Sequence, residues 1–176
     1  MKFSTLIAPF AFASVTVALP VMWPFCLTQG DANDIVGKFI TVLQHTNINA
    51  ANATAQALIG PNFFEKSDSI NMLAGKPVGS ITTPSKAEYI NGVLFAPSLT
   101  GITTNKVLVA GCTSILWYWN MAGVGSKQIP VTGFNLIEIT PQKQIADMYV
   151  EFNNIGWGID IGFTVTDYTG AQLPTA

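Results

Sequence analysis

The chain has 176 residues, 49% of them hydrophobic, enough to bury one core, and its length gives no reason to divide it into two domains. Charge is sparse, eight basic residues against ten acidic ones, and every basic residue is a lysine. Without arginine forks or a basic face, the composition argues against a nucleic-acid partner.

The opening stretch, MKFSTLIAPFAFASVTVALP, carries Lys2, an uncharged apolar run and a small-residue exit at Thr16, Val17 and Ala18. This is the pattern of a secretory signal cleaved after Ala18; the alternative is a buried N-terminal helix. Pro9 breaks the run and Pro20 and Pro24 follow it closely, which argues against the run being a membrane anchor, and no membrane association is expected after signal removal. The expected organisation is a signal peptide at 1–18, a leader at 19–30, one folded domain at 31–162 and a tail at 163–176. Loss of Lys2 with the signal takes the net charge to seven minus ten, or −3.

On an oxidising route Cys26 and Cys112 can form a disulfide, closing a loop of about 85 residues and contributing on the order of 4 kcal/mol in the chain-entropy account. Two buried free thiols are the alternative. Asn52-Ala53-Thr54 is a glycosylation sequon consistent with secretion, and the protein is expected in the secretory pathway or outside the cell.

In DANDIVGKFITVLQHT, Asp31 reads as an N-cap with Asp34 in the first turn. Ile35, Val36, Phe39, Ile40, Val42 and Leu43 then recur at helical spacing. NAANATAQAL is a second helix stopped by Gly60 and Pro61. A short strand is expected around Ile70, with a turn at Gly75 to Pro77 and a return through Val78 and Ile81. Thr83 and Pro84 then open a third helix, PSKAEYINGVLF.

From there the hydrophobic period becomes two. NKVLVAGCTSILWYWNMAG, KQIPVTGFNLIEIT and QKQIADMYVEFN read as three long strands separated by turns. Helices followed by a strand meander predict an α+β domain with helices packed on one face of an antiparallel sheet. A nucleotide-binding parallel sheet is disfavoured, because no helix separates the last strands.

AGVGSK, from Ala122 to Lys127, has the look of a phosphate loop but leads into a strand and reads as a hairpin turn. His45 is the single histidine and reads as a surface group at a helix C-terminus. One histidine and two distant cysteines supply no metal-ligand spacing, so no metal and no cofactor are expected. No Ser-His-acid or Cys-His arrangement for covalent hydrolysis is present.

The order of elements, together with QIPVTGFNLIEIT followed by PQKQIADMYVEFN, resembles the nuclear transport factor 2-like superfamily, which includes ketosteroid isomerases, scytalone dehydratase and aromatic polyketide cyclases. The resemblance spans about residues 31 to 162. It implies a cone-shaped, strongly curved sheet wrapped on three helices around an apolar pocket whose few polar groups set the chemistry. A single histidine excludes the two-histidine mechanism of the dehydratase. In the cyclases the last strand ends in a base aspartate, followed by glycine and later glutamine; EFNNIGWGIDIG is similar in shape, with Asn153 at the aspartate position and Asp160 at the glutamine position. In the isomerases the base lies on the first strand after the second helix, and matching FFEKSDSINMLAG to it points to Met72 or Asp68.

On the last strand Ile145, Asp147, Tyr149, Glu151 and Asn153 share one face and Ala146, Met148, Val150 and Phe152 the other. Either the polar face meets solvent or it lines the cone, and parity does not choose. The second case predicts Asn153, Glu151, Tyr149 and Asp160 as catalytic groups, with Asn153 polarising a carbonyl and Glu151 or Asp160 moving a proton. Trp117, Trp119 and Trp157 are then the aromatic walls, although strand tryptophans also serve as sheet core or dimer surface, or stack on sugars.

The functional expectation is a secreted, cofactor-independent ketosteroid-isomerase-like enzyme, a cyclase, isomerase or dehydratase, acting on a hydrophobic small molecule. Its N-terminus resembles those of small secreted fungal proteins. The family implies a place in secondary-metabolite biosynthesis, where some relatives join maleic anhydride units. The rival is a carrier or effector that binds a ligand without reacting. A third reading is a homodimer module pairing through the apolar face of Met148, Val150 and Phe152.

Overall fold

Thr28, not Asp31, caps the first helix, α1 (Gln29–Gln44). The Thr28 hydroxyl accepts from the Asp31 amide and the Asp31 carboxylate accepts from the Thr28 amide, both at 3.1 Å, so Asp31 is the inner half of a reciprocal cap. Ile35, Val36, Phe39, Val42 and Leu43 are buried on one stripe, as their spacing predicts, and Ile40 is half-buried at its edge. The computed structural model describes residues 25–125 and 127–173. The expected signal, with its exit at Ala18, lies outside the described residues.

Helix α2 (Ile48–Leu58) starts on Asn47, whose side chain accepts from the Ala50 amide at 3.0 Å, and Asn52 of the sequon is exposed along it. Gly60 and Pro61 do end this helix, but no loop follows. The chain passes directly into strand β1 (Ile59–Lys66). Proline is tolerated because β1 is an edge strand and Pro61 falls in the irregular register between Ile59 and Phe64. Gly60 is needed where the backbones close up: a Cβ there would sit 3.0 Å from the Ile145 carbonyl oxygen.

The strand expected around Ile70 is instead a short helix, α3 (Asp68–Leu73), and Val78 and Ile81 are exposed. Ser67 decides this, because its hydroxyl accepts from the Ile70 amide at 3.0 Å and Asp68 stands in the first turn. Helix α4 (Lys86–Phe95) starts on Ser85, later than the expected Thr83-Pro84 opening. Thr83 is engaged elsewhere: its backbone bridges to Glu65 of β1, with Glu65 N donating to Thr83 O at 2.8 Å.

The apolar run from Asn105 to Gly123, expected as one strand, folds back into β2 (Thr103–Ala110) and β3 (Ser114–Met121). Gly111 makes the fold-back, at φ 72°, a conformation glycine enters without steric cost. Strands β4 (Val131–Ile139) and β5 (Ile145–Phe152) and a last helix, α5 (Asn154–Asp160), complete the order. The sheet runs β1-β5-β4-β3-β2. The α+β architecture is as expected, but the sheet is mixed: β1 lies parallel to β5, and the other neighbours are antiparallel.

Strict alternation gives this sheet two faces. Trp117 and Trp119 on β3, Asn135 and Ile137 on β4, and Met148 and Val150 on β5 are buried on the inner face, toward α1 and α4. The outer face carries Leu108, Phe134, Leu136 and Tyr149, all exposed, with Tyr118 stacked on Phe134 at 4.6 Å. Met148, Val150 and Phe152 are therefore not a pairing surface; the core needs them.

Cys26 and Cys112 are joined in a disulfide. It fastens the segment before α1 to the β2–β3 turn, where Leu27 N donates to Cys112 O at 2.8 Å and Gln29 Nε2 donates to Val107 O at 3.1 Å. The cysteines lie 86 positions apart in sequence. Closing a loop of that length removes unfolded-state entropy worth about 4–5 kcal/mol in the chain-entropy account. The Cys26→Ser/Cys112→Ser variant is expected to keep its far-ultraviolet circular dichroism and lose stability by up to about 4 kcal/mol in urea unfolding.

Candidate active site

Between the inner face of the sheet and helices α1 and α4 lies a cavity of about 330 Å³. Its walls are mostly apolar, and the three tryptophans singled out in the sequence, Trp117, Trp119 and Trp157, all line it. Trp119, Phe152 and Trp157 form a continuous aromatic strip, with ring centroids 6.3 and 4.7 Å apart. Gly133 makes room for it: a Cβ there would stand 2.4 Å from Trp119 Cζ2 and 2.7 Å from Phe152 Cβ. The exposed lining residues Glu88, Gly92, Ala96 and Pro97, on and just after α4, form the mouth.

Glu65 of β1 brings a carboxyl group into this wall and is only 6% exposed. Burial pushes its pKa up to about 7, a rise opposed in part by the Thr83 hydroxyl, which donates to Oε2 at 3.0 Å, and by the charge of Lys76. Beside it, the Tyr89 phenol is driven well above its usual range, by burial first and by the Glu65 charge second. Tyr89 also lines the cavity, and its hydroxyl makes no hydrogen bond to any described residue. A carboxyl group that ionises near neutrality and a phenol that stays protonated thus lie together in an apolar chamber. That pair can exchange a proton with a ligand and hydrogen-bond the oxygen on which charge develops.

The polar residues predicted from the last strand do not converge on this cavity. Met148, Val150 and Phe152 take its wall, so Asp147, Tyr149 and Glu151 face the other way. Tyr149 is 40% exposed and packs edge-on against Phe64. Glu151 holds the start of α3, accepting from Asp68 N at 2.8 Å, from Ser69 N at 3.1 Å and from the Ser69 hydroxyl. Asn153 caps α5, its side chain accepting from Gly156 N at 3.0 Å. Asp160 is fully buried, and its Oδ2 accepts from Val124 N at 2.6 Å and Gly125 N at 2.7 Å. Burial opposes its charge, yet these and neighbouring backbone amides outweigh that effect and hold its carboxyl below the usual range. His45 caps the end of α1, with its ring nitrogens 3.0 Å from Leu43 O and 3.1 Å from Ala96 O.

An NTF2-like domain matches the sequence over residues 25–164, most of the chain. The chain belongs to the NTF2-like domain family. Solved structures share the fold. A proposed polyketide cyclase, IdmH, from Streptomyces antibioticus superposes with TM-score 0.54 at 14% identity, over 75% of this chain and 99% of its own. A steroid delta-isomerase from Pseudomonas aeruginosa does so with TM-score 0.52 at 12% identity, over 79% and 92%. A SnoaL-like protein of unknown function from Burkholderia thailandensis gives TM-score 0.51 at 16% identity, over 72% and 98%. No curated protein matches significantly in sequence.

In this NTF2-like domain the first strand after the second helix is β1, and the carboxylate it sends into the cavity is Glu65. The expected equivalents lie beyond the strand: Met72 is 61% exposed at the end of α3, and Asp68, at its start, accepts from Gly79 N at 2.6 Å. Glu65 was within reach of sequence reading, because Phe63, Glu65 and Ser67 share one strand parity and Phe63 is apolar.

The buried carboxyl also leaves a mark on stability. The folded protein holds the Glu65 proton up to about pH 7, whereas the unfolded chain releases it near 4.5. Its contribution is therefore complete below pH 4.5 and is lost as pH rises through 7, by about 3 kcal/mol through linkage. Glu65→Gln keeps an acceptor for Thr83 and removes the ionisation. Urea unfolding at pH 5 and pH 8 is expected to show the variant gaining on the wild type at pH 8, by about 2–3 kcal/mol.

Proposed function

We propose that this NTF2-like protein is a cofactor-independent acid–base enzyme of isomerase, cyclase or dehydratase type, acting on a hydrophobic small molecule in the cavity. The observation that carries the reading is Glu65: a carboxyl group in an apolar chamber, with its pKa raised to about 7 and the protonated Tyr89 phenol beside it. Near neutrality such a group is populated in both forms, the condition for taking a proton at one position of a substrate and returning it at another. Tyr89 supplies a hydrogen bond to the developing oxyanion. Trp117, Trp119 and Trp157 supply flat walls that exclude water and align the reactive intermediate.

A role in the secretory pathway, in fungal secondary-metabolite biosynthesis, belongs to the same proposal. Its secretory part is supported by the leader's composition, by the exposed sequon at Asn52 and by a disulfide of the kind that oxidising compartments maintain. We also assign homodimer formation to the outer sheet face, where Phe134 and Leu136 are exposed side by side with Tyr149. Light scattering on the mature protein is expected to give twice the chain mass, and Phe134→Lys to give the monomer.

The substrate is found by comparing metabolites of the source organism with and without the gene, and the precursor that accumulates is then tested with pure protein. On that precursor, Glu65→Gln is expected to lower kcat by about 10²–10⁴-fold while leaving ligand affinity within several-fold. Wild-type turnover is expected to fall as pH drops below about 7, if the carboxylate acts first as base. Glu151→Gln and Asp160→Asn are expected to lower the melting temperature with little change in kcat. Turnover unaffected by Glu65→Gln would return the protein to the class of carriers.

A further inference from the structure

We propose that Asn135 is the ligand-recognition group of this cavity: its side-chain NH2 donates to a carbonyl oxygen of a neutral hydrophobic ligand, in an orientation locked by Trp119. The inference rests on the reading of the cavity as a ligand site and adds the chemical class that fits it.

Asn135 stands on β4 with 3% exposure, among apolar neighbours on the inner face. A carboxamide in such a place costs stability unless its polar atoms are paired. Half of it is paired well. Trp119 Nε1 lies 2.6 Å from Oδ1, and an indole N–H only donates, so the oxygen must face Trp119 and the nitrogen must face away from it. The nitrogen is paired poorly. One N–H meets the Met148 thioether sulfur at 3.0 Å, a weak acceptor, and the other has no partner among the described residues.

Asn135, Trp119 and Met148 all line the cavity, so the unsatisfied donor belongs to its wall. The arrangement extends one step further, because Gly133, on the same face of β4, leaves the space that the Trp119 ring fills. Gly133 seats Trp119, Trp119 orients Asn135, and Asn135 presents a fixed donor.

The charges around the cavity select the kind of acceptor. Its lining includes two carboxyl groups, Glu65 and Glu88, and neither lysine nor histidine. A carboxylate ligand would meet repulsion with no cation among the described lining residues, the charge of Lys76 reaching Glu65 from outside the lining, whereas a ketone, ester, lactone or anhydride carbonyl accepts the amide hydrogen without bringing charge.

The test uses the full mature chain and three probes of one shape: acetylnaphthalene, ethylnaphthalene and naphthoate, with affinities from equilibrium dialysis. Acetylnaphthalene is expected to bind about tenfold tighter than ethylnaphthalene, and naphthoate weakest of the three. Asn135→Leu, which removes the donor, is expected to erase the ketone preference while ethylnaphthalene binds within about twofold of wild type. The Trp119→Phe/Asn135→Leu variant removes both partners together, leaves no orphan, and is expected to lose the same preference.

A ketone preference that survives in Asn135→Leu and in the double variant overturns the assignment to Asn135. Equal binding of ketone and hydrocarbon to the wild type overturns it too, while leaving the apolar cavity as a ligand site. Naphthoate binding tightest overturns the neutral class. Failure of all three probes to bind overturns the ligand-site reading and this inference with it.

Discussion

The parallel ladder between β1 and β5 is the contact on which the rest of the site depends. It joins the segment after the second helix to the last strand of the meander, with Phe64 opposite Asp147 and Glu65 opposite Met148. That register turns Glu65 inward beside the cavity wall and sends its carbonyl and amide to Thr82 and Thr83, which positions the start of α4. The same register leaves Glu151 on the outside, where the amides of α3 take it up. Displacing β1 by one residue would exchange the two faces of the strand, because side chains alternate with period two.

The cavity is polar at a few places and apolar elsewhere, and this combination gives its groups their properties. A carboxyl group among aromatic rings cannot ionise as it would in water, so Glu65 titrates near neutrality and Tyr89 stays protonated. A carboxamide in the same surroundings is held by one strong bond, from Trp119, and one weak one, to Met148. Each of these residues sits where an apolar side chain would be more stabilising. Proteins commonly retain that kind of local cost where a ligand is to be bound or a proton moved.

The legible parts of the chain were those in which local pattern and final environment agree. The α1 stripe and the alternation of β3 to β5 are legible because periodicity alone groups their side chains by face. Strand β1 was hidden by Gly60 and Pro61, which resemble a loop but occupy an irregular edge-strand register. The Ile70 segment is a short apolar run that fits either period, and the Ser67 cap tips it into a helix. The fold-back at Gly111 was missed because apolar residues continue on both sides of it.

The sequence by itself determined the α+β class and the period-two faces of the meander, since these follow from spacing along the chain. Only the tertiary structure decided which carboxylate is the buried one. Glu65 shares strand parity with Phe63 and Glu151 with Tyr149, and neither local pattern says which of the two side chains loses its water. The difference is made by long-range pairing: β1 docks against β5 so that one side chain loses its water and the other is satisfied by the N-terminus of α3. A pKa is set by what surrounds a group in space, and for these residues those surroundings come from elements far away in the chain.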